Sequence, residues 1–486
     1  MLRKIRIIAA SIFFCLITLL FLDFTGTVHA WFGWMARIQF LPAVLSLNVG
    51  MIAGLLLLTL LFGRCYCAVI CPLGVLQDVF SCLGGKALKN RFRYRKPRTV
   101  LRYALLALFV LLLLLGLHSV ALLVAPYSAY GRIASQLFAP LYAWGNNLLA
   151  SLAEHYGSYA FYTVDVWMKG LPVLLVAAVT FAVVGACAFF GGRIWCNTLC
   201  PVGSVLGFVA RFALLKPRID NAKCVRCGKC ERQCRASCIR IAAEPQLDYS
   251  RCVGCMDCVS QCPTGAFSYA PSRKKEKKNK ETDRSKRDFL GVSALLAAGA
   301  FLQSWKVDGG LAVLEAKKPP RRSLPVRPAG SVSLQSFERH CTACQLCVSV
   351  CPDHVLRPAS DLEHWLRPEM FFERGYCRLE CTRCADVCPT GAIQRVTPAE
   401  KSSLQNGHAV WIAENCLRTR EGVSCEACYR HCPAGAIQWV TPVSGGMPVP
   451  AVHTAHCIAC GACEYFCPAR PFSAIYIEGH ETQKFI

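Results

Sequence analysis

Six groups of four cysteines constrain this 486-residue chain more tightly than any other feature of it. Four groups are strictly spaced C-x2-C-x2-C-x3-C: Cys224, Cys227, Cys230, Cys234; Cys252, Cys255, Cys258, Cys262; Cys341, Cys344, Cys347, Cys351; and Cys457, Cys460, Cys463, Cys467. Two are looser: Cys377, Cys381, Cys384, Cys388, and Cys416, Cys425, Cys428, Cys432. A proline follows the fourth cysteine in five of the six, which gives them a common ending. Thiolate is the soft donor that iron–sulfur clusters take, and this spacing lets three thiolates clasp one [4Fe-4S] cubane while the fourth reaches its neighbour. A single C-x2-C pair could equally hold zinc. Recurrence with the trailing proline argues against zinc and predicts six [4Fe-4S] clusters on these 24 cysteines.

The segments after the fourth cysteines are alike as well. Gly265-Ala266-Phe267, Gly391-Ala392-Ile393, Gly435-Ala436-Ile437 and Ser473-Ala474-Ile475 each read as a turn entering a short strand. Motif and segment together resemble the bacterial ferredoxins, which implies small α+β units. Joining neighbouring groups would put Cys224, Cys227 and Cys230 with Cys262, and Cys252, Cys255 and Cys258 with Cys234. In the last four groups a crossed and a nested pairing use the same ligands, and both are open at this level.

The remainder of the chain is apolar: hydrophobic residues make up 54% of it, more than a soluble domain needs. Runs at 7–22, 43–62, 100–125 and 171–190 each approach the ~20 residues that cross a bilayer core, predicting an α-helical membrane bundle of four helices. The net charge of +24 is concentrated in one part, with 35 Lys+Arg against 13 Asp+Glu in residues 1–305 and 19 against 17 in residues 306–486. These charges flank the apolar runs as the positive-inside bias requires, so a nucleic-acid partner is not expected. Residues 86–98, KALKNRFRYRKPR, mark the cytoplasmic side. Residues 126–170, whose only basic side chains are Arg132 and Lys169, read as external, with their tyrosines and tryptophans at the membrane interface. Residues 216–271 are then cytoplasmic.

A repeat stands at the ends of the second and fourth runs, GRCYCAVICPLG from Gly63 and GRIWCNTLCPVG from Gly192. It matches Arg64 with Arg193, Cys67 with Cys196, Cys71 with Cys200 and Pro72 with Pro201. Proline fits the first position of a helix, so Cys71 and Cys200 are expected at N-caps, where the helix dipole favours thiolate. Cys67, Cys71, Cys196 and Cys200 are therefore candidate redox thiols. Disulfide formation and ligation of a further centre fit the pattern too.

Residues 272–333 read as a charged linker, an apolar helix at 289–305 and a Pro/Arg-rich linker between domains at 1–215, 216–271 and 334–486. Ser285-Lys286-Arg287-Asp288-Phe289-Leu290 resembles a twin-arginine export signal with lysine in the first arginine position. The chain as a whole resembles two subunits of the periplasmic nitrate reductase system joined end to end. Residues 1–270 are similar to NapH, with its four spans, paired C-x3-C-P motifs and two cytoplasmic clusters; residues 284–486 are similar to NapG, an exported four-cluster ferredoxin. The resemblance implies a multi-pass protein of the bacterial inner membrane with residues 306–486 in the periplasm. It would act as a quinol dehydrogenase, passing electrons from the membrane quinone pool to a periplasmic reductase or cytochrome. Similar modules in MauN, MauM, NosR and CcoG-like factors imply an alternative, an iron–sulfur assembly or regulatory factor for a metalloenzyme.

Overall fold

Two helices of 21 residues, Leu2–Leu22 and Leu171–Gly191, set the frame. At 1.5 Å per residue each is about 31 Å long, and both are long and apolar enough to cross a membrane. The computed structural model describes residues 2–87, 92–167, 169–242, 245–271, 321–361, 364–442 and 446–486. The twin-arginine-like segment and the helix expected at 289–305 lie outside the described residues.

The other two apolar runs are broken. The run at 43–62 divides into Phe40–Leu45 and Val49–Phe62 because Asn48 restarts the helix, its Oδ1 accepting the Met51 N–H at 3.1 Å. The run at 100–125 divides into Thr99–Leu114 and His118–Val124, with Gly116 in the left-handed region at φ 78° between them. Among the described residues, then, two helices have span length where four were expected.

The segment after residue 125 also departs from expectation. Every residue of the helix Pro126–Ile133 is buried. It continues through a π-turn at Ala134–Phe138 into Ala139–His155. Tyr127 and Tyr130 are core residues packed on Phe21, at ring-centroid distances of 6.0 and 6.2 Å, rather than parts of an interfacial belt. Tyr142, Trp144, Tyr156 and Tyr159 remain exposed.

Each cysteine-rich unit is closed by strands at its ends. Leu215–Ile219 pairs antiparallel with Phe267–Pro271, so the first two quartets lie in one closed loop. Leu404–Trp411 pairs antiparallel with Ile475–Phe485 around the last two quartets. The middle two carry the hairpin of Leu356–Pro358 with Pro368–Met370.

The units occupy opposite ends of the two long helices. At the start of Leu2–Leu22, Arg3 pairs with Asp257 of the first unit at 2.7 Å. At its other end, Phe21 and the backbone of Cys344 meet over Gly131. Just beyond the end of Leu171–Gly191, the Arg193 N–H donates to the Arg235 carbonyl at 2.8 Å. Just before its start, Trp167 packs on His354 at 5.2 Å. Ser135 Oγ and Gln136 Nε2 each bond Gln345 Oε1 at 2.8 Å, which seats the four-quartet unit on the buried Pro126–Phe138 segment.

Candidate metal centres

The third cysteine of every quartet lies on a single helical turn: Lys229–Gln233, Asp257–Gln261, Leu346–Ser349, Arg383–Val387, Ala427–Arg430 and Ala462–Phe466. Proline cannot continue such a turn, so where it follows the fourth cysteine it forces the chain into the next segment. In the four strict quartets the residues flanking the second cysteine are left-handed: Arg226 and Gly228, Gly254 and Met256, Ala343 and Gln345, Ala459 and Gly461. Successive residues curled in this way turn their N–H groups inward and form an anion-binding concavity. Five of the eight are neither glycine nor asparagine, the residues that most readily adopt this conformation. Strain of that kind persists only where the surroundings enforce it. No such residue flanks Cys381 or Cys425 in the loose quartets.

The segments after the fourth cysteines also deliver N–H groups to sulfur. Ala266 N donates to Cys262 Sγ at 3.3 Å, Ile393 N to Cys388 at 3.4 Å, Ala436 N to Cys432 at 3.3 Å and Ala474 N to Cys467 at 3.4 Å. Such donors are needed wherever sulfur carries negative charge away from water.

The thiols gather in crossed sets. Cys224, Cys227, Cys230 and Cys262 line a hollow of about 320 Å³, and Cys252, Cys255, Cys258 and Cys234 one of about 380 Å³. Cys416, Cys425, Cys428 and Cys467 line a third of about 380 Å³, and Cys457, Cys460, Cys463 and Cys432 a fourth of about 300 Å³. In the middle quartets burial pushes the Cys341 thiol up to about 12, with Cys344 and Cys388 adding. Burial likewise pushes Cys351 up to about 11, with Cys377 and Cys381 adding. Of the two pairings the sequence allows, the nested one is not the arrangement found. Buried thiols that raise one another's pKa cannot all ionise unless a cationic core sits among them. Donor set, hollow and inward N–H groups therefore fit an iron–sulfur cluster.

Cys238 lines the second hollow too, its Sγ 3.5 Å from that of Cys234. Backbone N–H groups of Ala236, Cys238 and Ile239 serve Cys234 as those of Thr264, Ala266 and Phe267 serve Cys262. Cys238 thus stands where the matching loop has Ala266.

The C-x3-C-P repeat forms a separate cluster of groups. Cys67, Cys71, Cys196 and Cys200 are all buried, and Cys200 is an N-cap whose Sγ accepts the Gly203 N–H at 3.3 Å. The two halves exchange arginines. Arg193 Nη1 donates to the Cys67 carbonyl at 2.8 Å, and Arg64 Nη2 to that of Cys196 at 3.2 Å. Gly74 and Gly203 make room for this, since an added Cβ would lie 2.7 Å from Arg193 Nη1 and 2.9 Å from Arg64 Nη2 respectively. Sequence reasoning missed two partners. Gln77 Nε2 donates to Cys196 Sγ at 3.2 Å, and Asp78 collects Arg6 and Arg193 at 2.8 Å and Arg235 at 3.5 Å. The repeat carried a signal for them: its second copy has Leu206 and Gly207 at these places, so a polar pair at only one copy breaks the match.

A family model described as a 4Fe-4S binding domain matches residues 44–91 and 172–220, and a second model so described matches residues 245–268. A 4Fe-4S dicluster domain model matches residues 340–419 and 423–470. The methylamine utilization ferredoxin-type protein MauM of Paracoccus denitrificans is 34% identical over 194 residues, 38% of this chain and 83% of MauM. The ferredoxin-type protein NapF of Escherichia coli is 27% identical over 158 residues, 32% of this chain and 87% of NapF. YccM of Escherichia coli, named for electron transport, is 26% identical over 202 residues; these are 40% of this chain, which spans 47% of YccM. No solved structure matches.

Proposed function

We propose, since this chain belongs to the family of the MauM ferredoxin-type proteins, that it is a multi-pass inner-membrane protein carrying electrons from quinol to a periplasmic reductase or cytochrome. Iron–sulfur electron transfer is the part common to its relatives; the membrane direction and the donor are our reading. Six [4Fe-4S] clusters would be held by the crossed sets described above, each by three thiolates of one quartet and the fourth of its neighbour. Bound clusters supply one-electron carriers, so the two electrons of a quinol can leave singly. The chain's part is to hold the thiolates, aim N–H groups at their sulfurs and keep water out.

The observation that carries this reading is that the two cysteine-rich units sit at opposite ends of two apolar helices of span length. Charge supports the direction. Arg3 and Arg6 lie at the end that holds the two-cluster unit, and residues 86–98 are densely basic, as expected of a cytoplasmic face. The sparsely basic residues 126–170 accompany the four-cluster unit.

A reporter active only in the periplasm should work when fused after Ile486 and stay silent when fused after Pro271. Silence after Ile486 in a stably made fusion overturns the topology. Anaerobically purified protein should lose visible absorbance on addition of a quinol, and no bleaching with several quinols overturns the donor.

A further inference from the structure

The geometry points to a seventh iron–sulfur centre, held jointly by Cys67 and Cys71 of one repeat and Cys196 and Cys200 of the other. The four thiols are at most 4% exposed, and each of the two halves contributes a pair. The second half does not suffice alone: residues 172–220 contain Cys187, Cys196 and Cys200 only, too few for four thiolates. What builds one site from two halves is the arginine exchange, in which each guanidinium crosses to the other half's cysteine carbonyl.

Arg64 identifies the charge of the group that these thiols would hold. It is fully buried, and among the described residues no carboxylate pairs with it. Its contacts are Asn197 Oδ1 at 2.6 Å, the carbonyls of Cys196, Ser250 and Arg251, and Cys67 Sγ at 3.9 Å, while its Nε has no partner. A buried, unpaired guanidinium requires an anion beside it. Four bare thiolates would overshoot that need, whereas a [4Fe-4S] core with four thiolates carries roughly −2. Arg193, its Nη1 4.0 Å from Cys196 Sγ, lies beside the same group, and Gln77 Nε2 and Gly203 N already donate to sulfur.

Spacing separates this class of occupant from zinc. Tetrahedral zinc with bonds of about 2.3 Å brings its sulfurs to within about 4 Å of one another. No three of these four thiols lie within 4.8 Å of one another, and neither do the members of the six quartets. The centre also stands between the two cysteine-rich units. Arg64 Nη1 reaches the carbonyls of Ser250 and Arg251, just before Cys252. Along Leu2–Leu22, the C-x3-C-P segment lies at the level of Arg6, which bonds the Ala68 carbonyl, and Cys344 at the level of Phe21. Those 15 residues of helix are about 22 Å. A centre at the near end would shorten the gap that electrons must cross between the units, each transfer oxidising one iron–sulfur centre and reducing the next.

Iron analysis of the full chain, purified anaerobically, decides the matter, and this inference rests on the six-cluster reading above. About 28 iron atoms per chain are expected with the seventh centre and about 24 without it. Cys67→Ser with Cys196→Ser should remove about four irons and one electron paramagnetic resonance signal of the reduced protein; Cys65→Ser with Cys187→Ser should remove none. Gln77→Leu should keep the iron and lower the midpoint potential of that one signal, which distinguishes a ligand sphere from mere packing if the cysteine variant fails to accumulate. About 24 irons in the native chain, or zinc or copper at one per chain in place of the extra iron, overturns the seventh centre. Reduction by quinol with only 24 irons leaves the proposed function standing, and 28 irons without such reduction leaves the centre standing.

Discussion

Gly131→Ala tests whether the four-quartet unit is truly seated on the Pro126–Ile133 helix. Alanine is worth about 1 kcal/mol more than glycine inside a helix, so propensity alone predicts a gain. The new Cβ, however, would lie 2.3 Å from the Cys344 carbonyl oxygen and 3.1 Å from Phe21 Cζ. To restore ordinary contact the helix and the Cys344 loop must part by roughly 1 Å, and overpacking of this kind costs about 1–3 kcal/mol. Because the clash is with a backbone oxygen, the cost falls in the upper part of that range, and the net effect should be a loss of about 1–2 kcal/mol confined to the interface. Hydrogen exchange of the intact protein in detergent would read it as amides of residues 343–346 and 129–134 exchanging roughly 5- to 30-fold faster, with iron content unchanged. Gly145→Ala is the control, because no atom lies within 4 Å of its added Cβ in the helix Ala139–His155. If both variants slow exchange alike, the close approach of Gly131 to Cys344 is not the seat of the unit.

Two further outcomes follow from single side chains. Cys238→Ala should leave the iron content unchanged, because alanine is what the matching loop carries at Ala266; loss of about four irons would make Cys238 a ligand. Burial, with Asp361 adding, holds Glu369 up at about 7 against an ordinary 4.5, so the folded chain keeps a proton there that the unfolded chain has released. That contribution is whole below about pH 4.5 and is lost as pH rises through 7, on the order of 3 kcal/mol in all. Glu369→Gln should therefore melt higher than the native chain at pH 8 and approach it only as pH falls to about 4, and equal melting at both would refute the burial argument.

How much could be read in advance depended on whether the signal was local. The quartets were legible because three ligands of each centre stand close together in the chain, and the trailing prolines end the same short turns in five of the six copies. The paired C-x3-C-P motifs were legible through repetition, and their arginines proved to be the groups that join the halves. The breaks at Asn48 and Gly116 are harder to read, since an average over an apolar run hides the one residue that interrupts it. Tyr127 and Tyr130 looked interfacial by composition. Their burial depends on Phe21 and on a loop more than 200 residues downstream, and no local pattern carries that. The crossed pairing had the same difficulty, because both pairings draw on identical motifs.

The two loose quartets show how a missing backbone feature is replaced by a side chain. Without left-handed residues around Cys381 and Cys425, fewer N–H groups curl inward, and the carbonyl of each of these cysteines takes a cation instead. Lys401 Nζ donates to the Cys381 carbonyl at 2.6 Å and to that of Arg378; Arg418 Nε donates to the Cys425 carbonyl at 2.8 Å. Positive charge close to a cluster favours its reduced, more negative state, as hydrogen bonds to sulfur do. The two cations should not count equally. Lys401 is only 7% exposed, so its field acts through protein, whereas Arg418 is half-buried, stacked on Trp439 at 4.1 Å and screened by solvent. Lys401→Met should therefore lower one reduction potential in a redox titration more than Arg418→Met lowers another, with iron content held in both. Equal shifts would mean that screening does not separate the two sites, and no shift in either would mean that these cations only brace the loops.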